Sequence, residues 1–177
     1  KTIEEIEVFA PAATELGPIE KMEQLATLLS DWAVLDRVLV AKADLVIEDE
    51  ERASIWRRVG EARRDMLDDR DGAIAAYERA AELDPESAFT VDCLVDLHEA
   101  KGDAARLVEL YQRRVELASE EDTDLKYELL VKAADAFEKK LENRPRAIES
   151  LNQALSVRPG DAVALGALNR LYRAEEM

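Results

Sequence analysis

In 177 residues the chain has one cysteine, one histidine, five prolines, six glycines and only 5% aromatic residues. Each scarcity excludes something. A lone thiol, Cys93, forms no internal disulfide, which fits a reducing compartment, and a cytoplasmic setting is expected. It has no histidine at catalytic spacing and reads as a small apolar filler. A lone histidine, His98, has no companions from which to build a triad or a metal cluster, and reads as a packed, partly buried imidazole. No stretch of strand length alternates with a period of two, so no sheet is expected. No apolar run approaches the length needed to span a bilayer. A phosphate-cradling glycine loop, a nucleophile elbow and a paired His-Glu motif are also missing. Neither catalysis nor a cofactor nor a metal is expected. The stretch Asp69-Arg70-Asp71-Gly72, with Glu78 beyond it, half matches a calcium loop, but the first ligand position falls on Leu67, which has no oxygen to give.

What the chain has is helix formers and acid. It is 47% hydrophobic, much of that alanine and leucine, and 36% charged. Forty acids against 24 bases leave a formal net charge of −16. Such a field repels phosphate backbones, which argues against a nucleic-acid partner, and it favours a basic protein partner or simply keeps a long surface solvated.

The strongest pattern is a repeat. Residues 56–85 return 74 positions later as 130–159. Trp56, Val59, Gly60, Arg63, Ala73, Ile74, Tyr77, Ala80, Leu83 and Pro85 correspond to Leu130, Ala133, Ala134, Phe137, Ala147, Ile148, Leu151, Ala154, Val157 and Pro159. Large stays large and small stays small, with Arg63/Phe137 the main mismatch. A fixed period of this kind marks a stacked array of identical supersecondary units. Within the first copy, Trp56, Val59, Gly60 and Arg63 form one helical stripe. The turn Asp68-Asp69-Arg70-Asp71-Gly72 follows, then a second stripe of Ala73, Tyr77, Ala80 and Leu83, closed by Asp84-Pro85. The pair is an antiparallel helical hairpin with small residues where the backbones meet.

These residues resemble the tetratricopeptide repeat (TPR) family, whose signature runs Trp, Leu-Gly, an aromatic, then Ala, an aromatic, Ala and Pro. The match is Trp56-x-x-Val59-Gly60 with Ala73, Tyr77, Ala80 and Pro85. Arg63 stands in place of the aromatic, and the turn is one residue longer in both copies. Between the copies lies a second repeat type. It comprises Val91, Leu94, Leu97 and His98, a turn at Lys101-Gly102-Asp103, then Leu107, Leu110, Tyr111, Val115 and Leu117, and an acidic loop closes it. The same type recurs 72 residues upstream, as Ile19, Met22, Leu25, Leu35, Val38, Leu39 and Leu45. There Lys42 and Arg114 replace the family's small alanine, which predicts looser packing with their charges reaching water.

The resemblance implies an all-α, right-handed superhelical solenoid of antiparallel helix pairs, about four and a half repeats long. The repeats fall at 18–48, 50–85, 86–121 and 122–159, with half repeats at 1–17 and 160–177. Helices are expected at 2–10, 18–29, 31–46, 51–67, 71–83, 87–100, 104–118, 123–141, 145–157 and 161–175. The last carries an apolar stripe, Leu165, Leu168, Leu171 and Tyr172, rather than a capping face. It predicts that the array continues, that Leu165 and Tyr172 are partly bare, and that the end self-associates weakly.

In the family the first helix of each pair lines a concave face that binds extended peptides. The matching outward positions here are Arg57, Glu61 and Arg64; Asp92, Asp96 and Glu99; Val131, Asp135 and Glu138; and Gly166, Arg170 and Arg173. Family members that clamp carboxylate tails use Lys and Asn where this chain has Asp92, Asp96 and Asp135, so that activity is not expected. The reading is a protein-interaction module of a larger, bacterial-looking repeat protein. Its basic partner would meet Asp92, Asp96, Glu99, Asp135 and Glu138, flanked by Arg57, Arg64, Arg170 and Arg173. The alternative is a spacer or self-assembly segment with no ligand.

Overall fold

The computed structural model describes residues 16–175. The helix expected at 2–10 and nearly all of the half repeat at 1–17 lie outside them. Within the described residues the chain is all helix and turn: α1 Leu16–Leu29, α2 Trp32–Leu45, α3 Asp49–Asp65, α4 Arg70–Leu83, α5 Ala88–Lys101, α6 Ala104–Leu117, α7 Thr123–Lys139, α8 Arg144–Val157 and α9 Ala162–Glu175. No expected helix end is more than two residues from the observed one. The reason lies in the turns. The second helix of every pair starts on a side chain that accepts a hydrogen bond from a backbone amide of its first turn: Asp31 from Val34, Asp69 from Gly72, Asp103 from Arg106 and Asn143 from Arg146. Such caps satisfy an otherwise orphaned amide. Asp69, in the partly matched calcium loop, is one of them.

The chain forms two compact units, the first ending at Thr90 and the second beginning at Val91. In the first, Ile19 of α1, Val34, Val38 and Leu39 of α2 and Val59 of α3 are almost wholly buried in one core. The hairpin of α3 and α4 is the tightest joint. A Cβ built on Gly60 would stand 2.8 Å from Cε2 and Cζ of Tyr77, whose side chain is fully buried and has nowhere to move. In the second unit the same joint, between α7 and α8, pairs Ala134 with Leu151, both buried. A smaller partner on one helix tolerates a methyl on the other. This compensation explains why the glycine of the first copy is an alanine in the second.

The turns of the two copies also share a backbone device. Asp68 and Glu142 have φ of 52° and 51°, left-handed values that few residues with a side chain adopt. The amide after each turns back to the end of the preceding helix, Asp69 to Arg63 O at 2.8 Å and Asn143 to Phe137 O at 2.7 Å. Glu142 is exposed, so its side chain does not oblige it to be there. Replacing it by glycine should raise stability by about 0.5–1 kcal/mol, because glycine enters this region without steric cost. Urea unfolding checks this, and a fall in stability would show that the Glu142 side chain matters more than its backbone.

Two expectations about charge need correcting. Lys42 and Arg114 do not extend into water: each side chain is only 14% exposed. Lys42 Nζ lies 2.9 Å from Glu23 on α1, and Arg114 Nε lies 2.7 Å from Asp92 on α5. A long cation in place of the alanine ties the two helices through an ion pair. Burial works against the Glu23 carboxylate, yet hydrogen bonds from Lys42 and Arg58 outweigh it and hold its pKa below the usual range.

Arg63, the residue that breaks the aromatic pattern, is likewise engaged. Its Nε and Nη2 meet the two oxygens of Asp36 on α2 at 2.7 and 3.1 Å, and its Nη1 donates to Gly72 O at 3.2 Å. In the second unit the corresponding positions are apolar and buried, Phe137 and, at the spacing of 72, Val108. Cys93 and His98 are both buried in α5, with His98 Nδ1 3.5 Å from Asp103.

Candidate functional site

A groove in the second unit lies between α7 and α9, over α8, with a volume of about 370 Å³. Val131 and Ala134 of α7 and Leu151 of α8 form one apolar side. Val163, Gly166 and Ala167 of α9 form the other. Asp135, Glu138 and Arg170 stand around them. Helical periodicity puts these residues together. Val131, Asp135 and Glu138 recur every three to four residues on α7, as do Val163, Gly166 and Arg170 on α9, so each set shares one face. Five of the six outward positions named for these two helices therefore line one groove. The sixth, Arg173, is exposed near the end of α9.

The acids are not bare. Glu138 Oε2 accepts a hydrogen bond from Arg170 Nη2 at 2.6 Å, directly between α7 and α9. Asp135 pairs with Lys139 one turn on. Glu99 accepts from the Tyr111 hydroxyl at 2.7 Å and lies 3.5 Å from Lys132 Nζ. Burial, reinforced by that hydrogen bond to Glu99, raises the Tyr111 phenol well above its usual range and keeps it a donor. Asp92 holds Arg114. Asp96 alone of the five is exposed with no partner among the described residues. The sequence had no means of showing the pairs of Arg114 and Arg170, which join residues 22 and 32 positions apart. The Asp135–Lys139 pair, at the helical spacing of four, was legible in principle.

In the first unit, Arg57 and Arg64 are struts rather than free cations. Arg57 Nη1 lies 2.8 Å from Asp84 and 3.5 Å from the Ser87 hydroxyl, linking α3 to the loop after α4. Arg64 lies along Asp65, at 2.7 and 3.0 Å, with its guanidinium 6.0 Å from the centre of the Tyr77 ring. The second unit builds this joint from other positions, with Arg158 where the first unit has Asp84 and Val131 where it has Arg57. There Arg158 of the loop reaches Asp124 of α7 and stacks 4.1 Å over the Tyr127 ring, while Tyr127 donates to Asp161. Asp161 also accepts from the amides of Val163 and Ala164 at 3.0 Å and so starts α9.

On α9, Leu168 and Leu171 are buried, whereas Val163, Leu165 and Tyr172 are 68%, 48% and 46% exposed, as the apolar stripe predicted for the last two. Among the described residues no three or more His, Cys, Asp or Glu gather as a metal site, and no helix is long and apolar enough to cross a membrane.

No family model matches the chain, and no curated protein matches it in sequence. Solved structures do match in fold. The protein YrrB, described as a TPR protein with an unusual peptide-binding site, superposes with a TM-score of 0.51 at 16% identity, over 93% of this chain and 84% of its own. The fold is that of the tetratricopeptide repeat. The N-terminal domain of stress-induced protein-1 from C. elegans gives 0.52 at 20% identity, over 72% of this chain and 99% of its own. A MamA structure gives 0.51 at 15%, over 90% and 82%. At these identities the likeness is one of TPR architecture. With the signature aromatic replaced by Arg63 and the alanines of alternate repeats replaced by Lys42 and Arg114, this chain reaches that architecture with ion pairs at positions the TPR pattern fills with apolar or small side chains.

Proposed function

We propose that this chain is a protein-interaction module and that the groove between α7 and α9 receives an extended segment of a partner with basic character. The observation that carries the reading is the composition of the groove: a preformed apolar channel edged by Asp135 and Glu138, in a chain of net charge −16. Helices already packed on one another need gain little order on binding, which limits the entropic cost of association. YrrB, alike in fold, is described as having a peptide-binding site, which adds an argument by analogy. Asp96 on α5, exposed and without a partner among the described residues, adds a further acid in the same unit.

A second reading, a spacer with no ligand, draws on the pairing of Asp92, Glu99, Asp135 and Glu138 with Arg114, Lys132, Lys139 and Arg170. Binding decides between the two. Labelled peptides of about nine residues, roughly 30 Å when extended, are offered in arginine-rich, neutral and glutamate-rich versions and followed by fluorescence anisotropy. The arginine-rich peptide should bind, and should weaken at least about tenfold between roughly 50 and 500 mM salt. A variant with Asp96→Lys, Asp135→Lys and Glu138→Lys should lose it. Binding of none would favour the spacer, and equal binding of all three would remove the basic character proposed for the partner.

A further inference from the structure

Gly166 occupies an interior position of α9, where glycine is among the least favourable residues. The fold does not require it. A Cβ built on Gly60 collides with Tyr77, but a Cβ built on Gly166 meets nothing within 4 Å. Its backbone is helical, and its φ is not of the left-handed kind seen at Gly102 and Gly160. The missing side chain thus serves neither packing nor a turn. What it does is leave one wall of the groove open opposite Val131 and Ala134, beside the 68% exposed Val163. A local rule broken without an internal gain points to an external contact.

The nearest charges complete the picture. Arg170, one turn beyond Gly166, holds Glu138 across the groove, and its side chain is 59% exposed. Lys139, which holds Asp135, is 57% exposed. Ion pairs with so much water around one partner are worth little and exchange readily. Glu138 and Asp135 are therefore acceptors occupied by the chain's own cations, open to a competing guanidinium or ammonium.

Building on the interaction-module reading above, we propose that the notch over Gly166 takes an aliphatic side chain of the partner segment, and that a Lys or Arg next to it displaces Arg170 from Glu138. The ligand class is an extended peptide that alternates aliphatic and basic residues. Alternation suits an extended chain, whose successive side chains point to opposite sides: one set enters the notch while the other reaches the acidic edge.

Two probes test this on the full chain by fluorescence anisotropy: a peptide alternating valine and arginine, and one alternating glycine and arginine. The wild type should prefer the first by about tenfold, the scale of burying one aliphatic side chain. Gly166→Leu should keep its helical circular dichroism and melt no lower than wild type, yet bind the valine peptide no better than the glycine one. Gly166→Ala should reduce the preference in part. Arg170→Gln should tighten both peptides about two- to fivefold, since it frees Glu138 and removes a positive charge. Equal wild-type affinity for the two peptides, an unchanged preference in Gly166→Leu, or weaker binding by Arg170→Gln overturns the proposal while leaving the module reading in place. If the wild type binds neither peptide, both readings fail.

Discussion

Ala80→Leu and Ala154→Leu should each lower stability by about 2–3 kcal/mol, at the upper end of what overpacking costs. Both alanines are fully buried, on α4 and on α8, where a second helix passes too close for a longer side chain. The rest of each hairpin leaves no room for adjustment. Gly60 already lies at the limit set by Tyr77, and Ala73 and Ala147 are fully buried at the other end of the same contact. In a chain of this size the loss corresponds to a melting temperature lower by roughly 5–10 °C. Ala75, on α4 but exposed, is the control: Ala75→Leu should change almost nothing. Equal melting of all three variants and the wild type would remove this helix register.

Breaking the Arg63–Asp36 pair should be the next most costly change. Both side chains are mostly buried, 21% and 16% exposed, and the guanidinium is held by two oxygens. Its bond to Asp36, more than any other influence, raises the already high pKa of Arg63, so the charge is permanent and needs a partner. Asp36→Ala alone strands that charge and should cost about 1–3 kcal/mol. Arg63→Phe alone strands Asp36 and should cost a similar amount. The double variant Asp36→Val with Arg63→Phe reproduces what the second unit has in Val108 and Phe137, and should recover most of the loss, because replacing a buried pair by packed apolar groups is often neutral or better. Urea unfolding of the four proteins gives the coupling directly. Strictly additive single effects would show that the two residues do not work as a pair.

The fold was readable because its determinants are local and repeated. The stripe of Trp56, Val59 and Gly60, the turn-formers at 68–72, and the proline at 85 are each short-range, and the copy 74 residues on repeats the information. Which face of α7 and α9 lines the groove was readable from the resemblance, which named the outward positions, and periodicity puts Val131, Asp135 and Glu138 together there. What periodicity does not carry is which charge meets which. Arg63 with Asp36, Arg57 with Asp84 and Arg170 with Glu138 join residues some 30 positions apart. Each looks like a solvated ion or a defect in the repeat until the helices are stacked. Lys42 and Arg114 show the same limit: chemistry predicts that a long cation seeks water or an acid, but not that Glu23 and Asp92 are within reach.

The different ion pairs at the two joints have a consequence for how such a chain can be rearranged. By pattern, α3 and α7 look like interchangeable parts, free to be shuffled or duplicated. Their contacts are keyed. With α7 in place of α3, Val131 would stand where Arg57 now holds Asp84, leaving that acid without its cation, and the methyl of Ala134 would come onto the ring of Tyr77, where there is room only for glycine. Each helix fits its own neighbours and rejects those of its twin. The order of these repeats is therefore written into their seams, and a copy can be replaced only together with the partner it was cut to fit.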